Sequence, residues 1–85
     1  MDDSLRQLID NVSQLHTTVL GEERIRRNTG LVNCDIIGWC KERIVDKKKS
    51  KISRRGKNWY IESGPFLITV NASSYMIITA HRIAK

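Results

Sequence analysis

The sequence is poor in the residues that mark several common protein classes. It contains one proline and two cysteines, and only 6% of its residues are aromatic. Cys34 and Cys40 fit neither a C-x-x-C redox motif nor a zinc-ligand pair, so we expect two reduced thiols, with Cys40 in the core. No Walker A motif, dinucleotide-binding glycine motif or nucleophile elbow is present. We therefore expect no metal site, no cofactor and none of the enzyme classes that carry those motifs.

Long apolar runs are also missing. No stretch approaches the roughly 20 residues that cross a bilayer as a helix, and no signal peptide precedes the first helical pattern. We therefore expect a cytoplasmic protein without a membrane partner. Its 85 residues suffice for a single domain with a modest core. We place this domain at residues 1–85, with a helical part at 4–49 and a sheet part at 51–83.

The positive charge is concentrated in one block. The chain carries a net charge of +6, and residues 41–57 alone hold nine Lys or Arg against two acidic residues. Such a patch suits a phosphate backbone or another anionic surface. A solvated helix end followed by a turn would have the same composition, so both interpretations stay open.

Apolar residues recur at helical spacing in the first half of the chain. A stripe of six predicts a first helix over 4–19. The six are Leu5, Leu8, Ile9, Val12, Leu15 and Val19. A short second helix is predicted at 21–30, where glutamates at the start and arginines at the end agree with the helix dipole. A third helix is predicted to begin at Asn33 or Asp35 and to run toward 47–49.

After Ser50 the apolar residues alternate with a period of two, which predicts strands near 51–55, 58–62, 66–71 and 75–83. Helices followed by strands indicate an α+β domain. In it, two to three N-terminal helices pack on one face of a C-terminal antiparallel sheet of three to four strands. A hairpin about 72–74 would turn one set of strand residues toward the helices. That set is Trp59, Ile61, Phe66, Ile68, Val70, Met76, Ile78 and Ala80.

The opposite face of the sheet is predicted to be polar. Aromatic rings on such a face can stack on bases while neighbouring cations hold phosphates. We therefore predict a nucleic-acid-binding surface, for RNA rather than DNA. Its predicted residues are Lys47, Lys48, Lys49, Lys51, Arg54, Arg55, Asn58, Asn71, Tyr75 and Thr79. A merely solvated face stays open as the alternative, because Thr and Tyr are common in strands.

Four residues are candidates for metal-independent RNA cleavage, which needs a base, an acid and a cation near the phosphate. His81 could act as base or acid, Tyr60 in proton transfer or stacking, and Lys57 beside the phosphate. His16, on the apolar side of the predicted first helix, is either a hydrogen-bonded core or boundary residue or a second acid or base. Whether the chain catalyses any reaction stays open.

Four segments resemble a small bacterial family that is known only as a domain of unknown function. They are LHTTVLGEERIRRN, WCKERI, GKNWYI and ITVNASSYMIITAHRI, which together reach from about Leu15 to Ile83. This resemblance implies no activity and no catalytic residues. In element order, basic charge and a polar final strand, the chain also resembles, more loosely, the ribonuclease-toxin fold of barnase-like, colicin-like and RelE-type toxins. That likeness implies RNA cleavage on an open sheet face.

Functions of different classes follow from these observations. The first is a small basic RNA-interacting domain, extending to a metal-independent ribonuclease of toxin type with an inhibitory protein partner. The second is a non-enzymatic regulatory module of phage or plasmid type that binds nucleic acid or a protein through the same patch. A third is a structural protein that dimerises through its sheet, so both a monomer and a dimer are open.

Overall fold

Helices come first and strands afterwards, as predicted. The structure is a computed structural model that describes residues 3–31, 35–46, 48 and 50–83. Its helices are α1 (Asp3–Asp10), a 3₁₀ turn (Val12–Gln14), α2 (Val19–Thr29) and α3 (Ile36–Val45). Its strands are β1 (Ser50–Arg55), β2 (Asn58–Ser63), β3 (Phe66–Asn71) and β4 (Ile77–Arg82). The predicted α+β class is confirmed.

The strands form one antiparallel sheet in the order β1–β2–β3–β4. Two-residue turns join the first three strands, and each contains a glycine with positive φ, 56° at Gly56 and 57° at Gly64. Glycine adopts this conformation without the clash that a Cβ would bring. Each strand therefore pairs with the one before it in the chain.

The helices cover one face of this sheet. Their buried side chains and those of the strands form a single core cluster. The residues that precede the strands contribute Leu8, Leu15, Ile25, Ile36, Cys40 and Ile44, and the strands contribute Trp59, Ile61, Ile68, Val70, Ile77 and Ala80. The core positions predicted for Cys40, Trp59 and Ile61 are confirmed.

The first helix is shorter than the predicted 4–19. It ends at Asp10, and Asn11 leaves the helical region with φ −113° and ψ 22°. The Asn11 side chain donates a 2.9 Å hydrogen bond to the Gln7 carbonyl. Asparagine competes for backbone groups in this way, which makes it a poor residue for a helix interior.

The segment after this break adds to the sheet instead of continuing the helix. His16 pairs with Met76 in a parallel bridge, with its N–H donating to the Tyr75 carbonyl and its carbonyl accepting from the Ile77 N–H. These hydrogen bonds to β4 replace those of a longer helix. Val19, predicted on the buried stripe, is consequently 75% exposed.

The second helix begins at Val19 because Thr18 caps it. The Thr18 hydroxyl accepts a 2.9 Å hydrogen bond from the Gly21 N–H, so the helix starts before the predicted position 21. It ends as predicted at Gly30, whose φ of 78° is left-handed. The third helix starts after Asp35, one of its two predicted starts; the other, Asn33, lies outside the described residues, as does Cys34.

A β-bulge in β4 corrects the predicted faces of the last strand. Thr69 pairs with Thr79 but Val70 pairs with Ile77, so Ile78 is an extra residue. Ile77 is fully buried whereas Ile78 is 37% exposed. The prediction that Ile78 faces the core is therefore wrong, because a bulge shifts the alternation by one residue.

Because of the bulge, substitutions of two adjacent isoleucines should lower the free energy of unfolding by different amounts. Ile77→Ala should lower the free energy of unfolding by about 2–5 kcal/mol, since it leaves a core cavity. Ile78→Ala, the matched control, should cost less than about 1 kcal/mol because Ile78 is partly exposed and lies outside the core cluster. Urea denaturation of both variants measures the difference. Equal costs, or a larger cost at Ile78, would contradict the register.

Candidate functional site

The face of the sheet that points away from the core, here called the outer face, carries three rows of side chains. Strand pairing and the alternation of side chains determine the rows. The first is Lys51, Glu62, Leu67 and His81. The second is Ser53, Tyr60, Thr69 and Thr79. The third is Arg55, Asn58 and Asn71.

A concave surface lies on this face around Tyr60. Its lining residues are Lys51, Ile52, Ser53, Arg55, Tyr60, Glu62 and Leu67. Tyr60 and Leu67 are half-buried, and Thr69, which neighbours Tyr60 in the second row, is only 7% exposed. The surface thus combines an aromatic ring, an apolar floor and cations at its margin.

The arginines of β1 separate onto the two faces. Arg55 and Lys51 lie on the outer face and are exposed. Arg54 lies on the helix-covered face, where its guanidinium carbon is 5.5 Å from the centroid of the Trp59 ring. Lys57 is exposed in the turn between β1 and β2. The basic block therefore supplies two of its cations directly to the concave surface.

Two acid–base groups share the first row. Glu62 on β2 and His81 on β4 lie on either side of Leu67, which pairs with both. Two strand spacings separate their Cα atoms by about 10 Å. A group the size of a phosphate placed over Leu67 would therefore lie within reach of both side chains.

The helices approach this face only at its β4 edge, among the contacts of the described residues. The Asn28 amide of α2 lies 3.5 Å from the Thr79 hydroxyl. Thr29, the next residue, is buried and accepts through its carbonyl a hydrogen bond from Arg82, which points to the other face. α2 thus lies along β4 and leaves the concave surface near β1 and β2 open.

A comparison with protein families shows which family this chain belongs to. Residues 9–81, which include all three rows, match the family described as "Protein of unknown function (DUF3781)". The chain is a DUF3781 protein. Searches of curated proteins and of solved structures gave no match. The predicted resemblance to a family of unknown function is thereby confirmed, whereas the looser likeness to ribonuclease toxins gains no support.

Tyr75 does not lie on the outer face of this DUF3781 protein, contrary to the prediction. Its ring packs against Trp59 with 5.6 Å between centroids, and its hydroxyl accepts a hydrogen bond from the Gln7 amide on α1. The backbone of Tyr75 has a φ of 61°, which is unusual for a residue with a Cβ. The left-handed turn and the bulge together send the ring under the helices.

Asn71 stabilises the turn that precedes Tyr75. Its side-chain oxygen accepts hydrogen bonds from the Ser73 and Ser74 N–H groups at 2.9 and 3.0 Å and from the Ser74 hydroxyl. A carbonyl committed to three donors has little capacity left for a ligand. The Asn71 side-chain oxygen therefore has a structural role in the turn, while its position in the third row keeps Asn71 on the outer face.

His16 is neither in the core nor on a helix. It is exposed, and its Nδ1 lies 3.0 Å from the Gln14 carbonyl oxygen. Met76, its bridge partner just before β4, precedes His81 by five residues, which places the two histidines about 16 Å apart along the chain direction of β4. Of the predicted hydrogen-bonded core or boundary histidine, the hydrogen bond is present but the position is exposed, and the ring does not approach His81.

The four predicted catalytic residues therefore do not converge. Lys57 lies beyond the third row and His81 in the first, about 13 Å or more apart along the strands. Tyr60 lies between them on the outer face. Of the predicted lysines at 47–49, Lys48 is exposed after α3, and Lys47 and Lys49 lie outside the described residues.

Glu62 and Leu67 line the concave surface but are not among the predicted binding or catalytic residues. The alternation that put Asn58 and Tyr60 on the outer face also puts Glu62 there. This signal was available in the sequence. Across the described ranges, no group of three or more His, Cys, Asp or Glu side chains is arranged to hold a metal, and no helix is long and apolar enough to span a membrane.

Proposed function

We propose that the outer face binds single-stranded RNA. The observation that carries the proposal is the concave surface lined by Tyr60 and Leu67 together with the cations Lys51 and Arg55. An exposed aromatic ring stacks on an unpaired base, and cations on either side hold the adjoining phosphates. A cytoplasmic location goes with this proposal.

The width of the face favours a single strand over a duplex. Four strands extend over about 14 Å, whereas the major groove of a DNA duplex, about 12 Å wide, admits a helix or a two-stranded ribbon. The base faces of a duplex are also stacked on one another, so the Tyr60 ring could not reach them. An unpaired segment exposes those faces.

Hydroxyl groups beside Tyr60 favour RNA over DNA. Ser53 and Thr79 lie in the same row as Tyr60, on the strands to either side of the pair β2 and β3. A hydroxyl both donates and accepts hydrogen bonds, which matches the 2′-hydroxyl that distinguishes the two nucleic acids. The ribose of a base stacked on Tyr60 would lie near one of them.

Two adjacent arginines provide the test of binding. Arg55→Gln should weaken the binding of a fluorescent single-stranded RNA and lower the slope of log K against log salt by about 0.7, because one phosphate contact is lost. Arg54→Gln removes the same charge from the opposite face and should leave both quantities near the wild-type values. Fluorescence anisotropy at several salt concentrations measures them.

Equal weakening by both substitutions would show that only net charge matters and would contradict the proposed surface. Tighter binding of duplex RNA or single-stranded DNA of the same sequence would contradict the proposed ligand. An absence of RNA binding by the wild type would leave the protein-partner function as the alternative.

Cleavage of the bound RNA is a second candidate function, which the first row favours. In this proposal Glu62 takes the proton of the 2′-hydroxyl, whose oxygen attacks the adjacent phosphorus. The bond to the 5′-oxygen breaks, and His81 protonates this leaving group. Lys51, which pairs directly with Glu62, stabilises the charge on the phosphate. The product carries a 2′,3′-cyclic phosphate.

The cleavage proposal predicts activity in the presence of EDTA. A positioned acid or base contributes on the order of a hundred- to ten-thousand-fold, so His81→Ala and Glu62→Gln should each reduce the rate at least a hundredfold. His16→Ala is the matched control and should cleave at the wild-type rate. Identical RNA patterns from the wild type and His81→Ala would remove the catalytic claim while leaving the binding proposal intact.

A further inference from the structure

Two arginines meet one aromatic ring on the opposite, helix-covered face. Arg82 of β4 pairs with Phe66, and its guanidinium carbon lies 5.4 Å from the Phe66 ring centroid. Arg43 of α3 lies 5.8 Å from the same centroid and 5.0 Å from that of Trp39. Trp39 and Phe66 pack edge to face at 5.0 Å. We call Arg43 and Arg82 the arginine pair.

Hydrogen bonds to the protein fix the direction of both guanidinium groups. Arg82 Nε donates to the Thr29 carbonyl at 3.2 Å, and an Arg43 terminal nitrogen donates to the Ser63 hydroxyl at 3.5 Å. Each bond uses one of the five N–H donors of an arginine. Most donors of the pair are therefore available to an external acceptor.

No carboxylate neutralises the arginine pair within the described part of the chain, where the recorded ion pair joins Arg26 to Glu22. An aromatic ring attracts cations through its quadrupole, but it leaves their net charge in place. Both guanidinium groups contact the Phe66 ring, so two positive charges without a carboxylate partner among the described residues lie beside one ring, on one half-buried and one exposed side chain.

We propose that the arginine pair binds the dianion of a phosphomonoester. Guanidinium groups match the geometry of phosphate oxygens, and two of them match its double charge. Phe66 and Trp39 provide an apolar floor beside the anion. The ligand is a free mononucleotide or the 5′-phosphate end of a nucleic acid, which share this chemistry. The site is separate from the outer face, so it does not rest on RNA binding there.

The test is the thermal stability of the full chain against phosphate at constant ionic strength, with chloride as the reference. A ligand that binds only the folded state raises Tm with concentration. Arg43→Gln and Arg82→Gln should each weaken the apparent phosphate affinity about tenfold or more, since each removes charged hydrogen bonds. Arg54→Gln, whose guanidinium also stacks on a ring, is the matched control and should retain the wild-type response.

The outcomes separate binding from a structural role. If the pair only stabilises the core, both variants lose stability at every concentration but keep the same increase in Tm with phosphate, and the proposal is wrong. It is also wrong if phosphate stabilises the wild type no more than chloride does.

Three further ligands identify the source of the phosphate. AMP, and a short RNA with and without a 5′-phosphate, are added to the wild type under the same conditions. Stabilisation by AMP, with no difference between the two RNAs, assigns a free nucleotide, and a larger stabilisation by the phosphorylated RNA than by the unphosphorylated one assigns a strand end. The responses to inorganic phosphate and AMP do not involve RNA, so a failure of the RNA-binding proposal would be distinguishable from a failure here.

Discussion

A single extra residue in the last strand determines which of its side chains lie on each face of the sheet. The bulge at Ile78 lets Ile77 and Ala80 both enter the core while Thr79 and His81 stay on the outer face. Strict alternation would have put Ile77 on the same side as Thr79. The core would then have lost one of its fully buried side chains, and the polar row would have gained an apolar one.

The two edge strands of the sheet, β4 and β1, differ in how they are protected. At β4, the start of the strand pairs with His16, the Thr17 hydroxyl donates to the Ile77 carbonyl, and α2 packs alongside. The other edge strand, β1, is mostly exposed and rich in Lys and Arg, which discourages pairing with a second copy of the sheet. The charges that protect this edge also border the concave surface around Tyr60. One set of residues can thus serve both solubility and the proposed RNA contact.

Much of this architecture could be predicted from local patterns. Alternation located the strands and identified Trp59 and Ile61 as core residues, because a regular strand between tight turns keeps its phase. Tyr75 could not be placed, since a left-handed residue and a bulge precede the regular part of β4. The early end of α1 has a local signal in Asn11, but the pairing of the segment that follows could not be predicted, because its hydrogen-bond partners come some 60 residues later. Glu62 was predictable by the same alternation, because it follows Asn58 and Tyr60 at the same two-residue spacing on β2.

The two tyrosines provide the most direct test of the account, because the structure places them on opposite faces. Tyr60 lies on the outer face, and Tyr75 packs against Trp59 beneath α1. The measurement is an NMR titration of aromatic-labelled protein with a short single-stranded RNA. The account predicts that the ring signals of Tyr60 shift upfield on stacking while those of Tyr75 stay in place. A shift of Tyr75 alone, or of neither ring at saturating RNA, would contradict it.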